Sequence, residues 1–188
     1  MKFLFSLGLL ATGAYAAGNV NLRTTTSRNL ESSDDDVKCL EAEMSAFNGY
    51  TGPVEGTVKV CFNNPLGPNT ASMEMEVEGL SKLVAGGVHI HAGTSCDSGS
   101  EGPHYWNTDL KPAGPKEDGD PWFNAASTLA PTGTGYSTDE DGEGSAYFFV
   151  NYGYGFAETE GKVIVIHDEV KATGGSYAKI ACGVLMED

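Results

Sequence analysis

Gly86-Gly87-Val88-His89-Ile90-His91-Ala92-Gly93-Thr94-Ser95-Cys96 is the stretch on which the reading of this chain turns. Side chains alternate between the two faces of a β-strand. His89 and His91 therefore share one face, and Val88 and Ile90 the other. The apolar pair can enter a core. The imidazole pair can grip one ion, because neutral imidazole is the commonest protein ligand for copper and zinc. The chain holds 4 His in all, and the remaining two also stand in recognisable settings. His104 lies in Gly102-Pro103-His104-Tyr105-Trp106, and His167 ends the apolar run Val163-Ile164-Val165-Ile166. Each histidine alone is a weak signal. Their order, with flanking glycines and a cysteine, makes metal binding the stronger reading.

Outward from this stretch the period is two. Leu40, Ala42, Met44 and Ala46 alternate with Cys39, Glu41, Glu43 and Ser45, and Val58, Val60 and Phe62 alternate with Thr57, Lys59 and Cys61. Gly49-Tyr50-Thr51-Gly52 between them reads as a hairpin turn. With Gly49-Tyr50-Thr51 as the loop, Cys39 faces Cys61 and Glu41 faces Lys59, on the face opposite Met44 and Val60. That register suggests a cross-strand disulfide, the alternative being two free thiols. Met73, Met75 and Val77 mark a third strand, and 83–91, 145–151, 162–167 and 178–185 supply further ones. Residues 105–144, rich in Gly, Pro, Asp and Thr, read as one long structured loop, with Trp106, Trp122 and Phe123 arguing for packing. No stretch carries an amphipathic helix. The pattern is all-β, an antiparallel sandwich or barrel.

These segments, with Ala181-Cys182-Gly183-Val184-Leu185, resemble the copper/zinc superoxide dismutase family in order and rough spacing across residues 88–185. The general resemblance runs from Val37 to the C-terminus. The Gly93-Thr94-Ser95-Cys96 and His104-Tyr105-Trp106 wording looks most like the copper-only, superoxide dismutase-like domains of extracellular proteins. The resemblance implies a Greek-key, immunoglobulin-like β-barrel, copper held by His89, His91, His104 and His167, and superoxide as substrate. It implies a redox cycle that yields dioxygen and hydrogen peroxide, with His104 the ligand that loosens on reduction. The Cys39–Cys61 register leaves Cys96 for Cys182, the pair that the resemblance also implies. In the family this bridge anchors the loop that carries the third histidine.

The resemblance does not carry zinc. The family's zinc site uses the bridging histidine, two further histidines and an aspartate. His104 matches the bridging position, but no histidine stands between it and His167. Asp109, Asp118 and Asp120 offer oxygen, which suits calcium or magnesium better. A carboxylate can instead orient the far nitrogen of His104 by accepting its N–H. Asp120 is the candidate, with Glu117 and Asp118 behind it. The competing reading has Asp120 only begin a Pro turn. Where the family places an arginine, three residues before the second cysteine, this chain has Lys179. Lysine keeps the charge but loses the planar fork. As an exposed strand residue it is expected to serve an anionic substrate and to contribute little to stability.

Composition sets the compartment. Lys2, the apolar run from Phe3 to Leu10 and Ala14-Tyr15-Ala16 read as a secretory signal over 1–16, too short to span a bilayer. Residues 17–36, with Glu31-Ser32-Ser33-Asp34-Asp35-Asp36, read as a disordered acidic lead-in. Residues 37–188 form the copper-binding domain. The expected product is secreted, extracellular or at the cell surface, without a membrane segment after cleavage. Four cysteines in an oxidising compartment suggest two disulfides, with three possible pairings. The net charge of −15 disfavours nucleic acid and anionic membranes as partners. No Cys-x-Cys or Cys-x-x-Cys motif supports a copper chaperone. The alternative to an enzyme is a non-catalytic extracellular copper-binding or cell-surface protein on the same fold. The sequence carries no signal of oligomeric state.

Overall fold

Alternation of apolar and polar residues builds ten strands: β1 Cys39–Glu43, β2 Ser45–Ala46, β3 Glu55–Cys61, β4 Thr70–Glu78, β5 Ala85–His91, β6 Gly135–Thr138, β7 Gly144–Asn151, β8 Val163–Lys171, β9 Tyr177–Val184 and β10 Met186–Glu187. The computed structural model describes residues 37–47, 49–62, 67, 69–109, 119–124, 134–171 and 177–188. All belong to one unit, Asp34–Asp188. The expected signal (1–16), the lead-in (17–36), Glu117 and Asp118 lie outside the described residues. Among the described residues helix is confined to a 3-10 turn, Pro121–Asn124, and one α-turn, Phe156–Thr159. No helix among the described residues is long and apolar enough to cross a membrane.

The sheet order is β10-β1-β3-β4-β7-β6-β5-β8-β9-β2, and every pairing is antiparallel. Strands β5, β6 and β7 form a meander, and β4 returns to lie beside β7, which is a Greek key. The segment 39–46 is paired along both edges. One edge meets β3. The other meets Glu187 and Met186 through Leu40 and Glu41, and Cys182 and Ala181 through Ser45 and Ala46. The sheet thus curls round to bring its two ends onto one segment of chain.

The hairpin register is as read from the sequence: Cys39 pairs with Cys61, Glu41 with Lys59 and Glu43 with Thr57. The turn is not. Pairing with β3 ends at Glu43, and Ser45 and Ala46 join β9 instead, so the expected continuous strand divides at Met44. Its N–H still reaches the Gly56 carbonyl, at 2.8 Å. The expected loop 105–144 also contains structure, the 3-10 turn and β6.

The core follows the alternation. Leu40, Ala42, Val58, Val60, Met73, Met75, Val88, Ile90, Ile164 and Ile166 are buried in one cluster. Val163 and Val165, on the other face of β8, join Phe47 and Cys182 in a second. Strand β5 is buried along its whole length. Burial on both faces there means that a layer of loops covers the outer side of β5 and β8.

Candidate metal centre

Strands β5 and β8 are neighbours, with His89 opposite Val165, His91 opposite Val163 and Gly87 opposite His167. The ladder brings three histidines to one patch without help from their side chains. Gly86 is what lets the strands approach: a Cβ there would lie 2.1 Å from the His167 carbonyl oxygen and 2.5 Å from the Tyr136 ring. The fourth histidine arrives on a loop. Residues 92–105 leave β5 and fold back on it, with Ala92 N–H to Pro103 O at 2.9 Å, Gly93 N–H to Glu101 O at 2.8 Å and Tyr105 N–H to Ile90 O at 2.8 Å. The return places His104 against His91 in an isolated antiparallel bridge. Cys96, in the same loop, is bonded to Cys182 on β9, and Cys39 to Cys61.

The ring nitrogens that His89, His91, His104 and His167 offer all lie within 4.8 Å of one another. His91 Nε2 and His167 Nε2 are 3.2 Å apart. The backbone and a carboxylate set two of the tautomers. His91 Nδ1 is 2.8 Å from the Gly102 carbonyl, which can only accept, so Nδ1 carries the hydrogen and Nε2 is left as donor. His104 Nδ1 is 2.8 Å from Asp120 Oδ2, which leaves its Nε2 in the same way. The other oxygen of Asp120 accepts the Trp122 N–H at 2.9 Å, opening the 3-10 turn. Asp120 thus meets His104 with one oxygen and opens the turn with the other. Trp122 is fully buried and donates its indole N–H to the Tyr105 carbonyl at 2.8 Å, which ties this turn to the His104 loop.

Burial holds His89 well below the usual imidazole pKa, and the neighbouring imidazoles push the same way. Burial lowers His91 to about 4, the Gly102 hydrogen bond opposing. Both rings are neutral at ordinary pH, the form that ligates a metal. His89 shows what the arrangement lacks. Both of its ring nitrogens are buried without a hydrogen-bond partner, a costly state for a polar group. A bond from one of them to a metal ion would end it. Four imidazoles suit copper or zinc, so the donor set fits the copper that the sequence points to.

Lys179 is not the free surface cation expected from the sequence. It stands opposite His167 in the β8–β9 ladder, and its ammonium is bound by Glu101 Oε1. Glu101 is buried. Burial opposes its ionisation, but the Lys179 ammonium and nearby backbone N–H groups outweigh that and hold the carboxyl below its usual value. Sequence reasoning missed Glu101. An acidic residue just before Gly102-Pro103-His104 was the only signal available. Asp109, the other candidate carboxylate among the described residues, is exposed, and its N–H is capped by the Asn107 side chain.

A family model described as copper/zinc superoxide dismutase matches residues 54–185. The chain belongs to the copper/zinc superoxide dismutase family. The match takes in all four histidines, Asp120, Glu101 and Lys179, and leaves out β1 and its Cys39. A comparison with curated proteins found no match.

Proposed function

We propose that this family member is an exported superoxide dismutase that holds copper through His89, His91, His104 and His167 and does without zinc. The observation that carries the reading is the use of histidine. All 4 in the chain stand in one group, and the nitrogen of His104 that would face a second metal meets Asp120 instead. When bound, copper supplies the one-electron exchange that turns two superoxide ions and two protons into dioxygen and hydrogen peroxide.

The residues of the chain do the rest. His91 and His104 are locked as Nε2 donors by Gly102 O and Asp120 Oδ2, so neither must change tautomer to ligate. His89 brings a buried, neutral ring to the group. Asp120 takes the orienting role that zinc would otherwise fill, since a carboxylate on the far N–H fixes ring orientation and raises ligand basicity. Lys179 stands opposite His167 in the β8–β9 ladder and acts electrostatically on His91, and it draws the anionic substrate. The two disulfides and the candidate signal over 1–16 support export.

The test is superoxide decay followed by stopped flow with copper-loaded protein. Decay proportional to enzyme and far above the spontaneous rate is expected. A protein that keeps its copper and leaves the decay unchanged would be a copper-binding module on the same fold.

A further inference from the structure

We propose that Glu101 is a positioning residue that holds Lys179 in a closed pair and thereby sets how strongly the centre attracts anions. This rests on the reading of Lys179 as the substrate-facing cation. The pair is tied through the backbone to two of the histidines. Lys179 stands opposite His167 in the β8–β9 ladder. Glu101 immediately precedes Gly102, whose carbonyl fixes the His91 ring. The Lys179 side chain is 28% exposed and that of Glu101 8%. The cation can thus meet a solute while the carboxylate behind it cannot leave. Phe47 closes another side, its ring centroid 6.0 Å from the Lys179 ammonium.

The loop has anchors besides the carboxylate. Four backbone hydrogen bonds fasten residues 92–105 to each other and to β5, a fifth runs from the Val163 N–H to the Gly93 carbonyl, and the Cys96–Cys182 bond fastens the segment to β9. Nor is the carboxylate part of a saturated network, because Oε2 is buried with no hydrogen-bond partner. What Glu101 does is cancel a charge. An ammonium paired with a carboxylate presents a dipole, whose pull on an anion fades faster with distance than that of a lone cation. The chain carries a net charge of −15, and Lys179 is the cation that the described β8–β9 register sets opposite a histidine.

Glu101→Gln removes the charge and keeps an oxygen that can accept from Lys179. Metal-free wild type, Glu101→Gln and Glu101→Gln/Lys179→Gln are titrated with inorganic phosphate, followed through the NMR shifts of the Lys179 ε-methylene, or of the neighbouring Ala178 and Ile180 amides in the double variant. Removing one unit charge next to the ammonium is expected to tighten phosphate binding about fivefold, and the double variant should lose the gain. In copper-loaded protein, Glu101→Gln is expected to speed superoxide decay severalfold at low ionic strength, with a steeper loss on adding salt. Unchanged phosphate affinity and unchanged salt dependence would overturn the proposal and leave Glu101 a loop contact. Tighter phosphate binding alongside an inactive copper-loaded wild type would uphold the clamp and sink the enzymatic reading instead. If Glu101→Gln does not fold, Glu101→Asp, which withdraws the carboxylate by one methylene, should still tighten phosphate binding. No tightening there would count against the clamp in the same way.

Discussion

The centre has a strand-borne half and a loop-borne half, and they are held by different means. His89, His91 and His167 stand on adjacent strands, placed by the β5–β8 ladder. His104, Glu101 and Asp120 stand on loops. They are placed by the His91–His104 bridge, the Cys96–Cys182 bond, the Asp120 hydrogen bonds and the Trp122 indole. A ladder fixes a ligand through many backbone bonds, none of them specific to the ligand. A loop fixes it through a few named contacts. Removing one such contact should therefore disturb His104 and leave the strand-borne histidines in place.

The two disulfides separate the halves with the largest expected effect. Cys96–Cys182 closes a sequence separation of 86 and Cys39–Cys61 one of 22. In the loop-entropy picture, replacing the first pair by alanine costs about 4–5 kcal/mol and the second about 3 kcal/mol. Urea melts should show that order. Copper titration should weaken only for the first pair, because only that bridge holds the His104 loop. Equal weakening for both would break the division into halves.

Acid acts next, and on the strand-borne half. His91 is lowered to about 4, and His89 lies well below the usual value of 6.5. The unfolded chain takes up protons near 6.5 while these folded rings do not, so stability is full above that pH and falls as pH drops towards 4. For His91 alone the loss approaches about 3 kcal/mol by pH 4. Thermal melts of metal-free protein between pH 7 and 4.5 should show the fall. A melting temperature flat over that range would mean that the rings are not buried as neutral groups.

Asp120→Asn is the smallest and sharpest probe. It can keep the bond to the Trp122 N–H through its carbonyl oxygen, but it loses the carboxylate on His104. Copper affinity should drop about 10–100-fold, with the metal-free melting temperature nearly unchanged. An unaltered affinity would reduce Asp120 to the opening residue of a 3-10 turn.

The sequence was legible where periodicity and short-range geometry act. The His89–His91 pair follows from the strand period, and the Cys39–Cys61 register from the hairpin residues. The division at Met44 was not legible, because the choice of β3 or β9 as neighbour depends on how the sheet curls, and no local residue encodes that. β6 was hidden by length: Gly135-Tyr136-Ser137-Thr138 is too short to show a period. Asp120 was legible as a carboxylate that could reach His104 or begin a Pro turn, and that it makes both contacts needed the position of His104. Glu101 was invisible. It meets a lysine 78 residues away, and a loop without periodicity has no register from which to predict such a partner. For the same reason Lys179 read as free.

The central claim is a single copper centre built from every histidine in the chain. Elemental analysis of protein reconstituted with copper and zinc together, then dialysed against a weak chelator, tests it most directly. One copper per chain with zinc far below one is expected, since no histidine is left for a second site. Zinc bound in equal number to copper would contradict it.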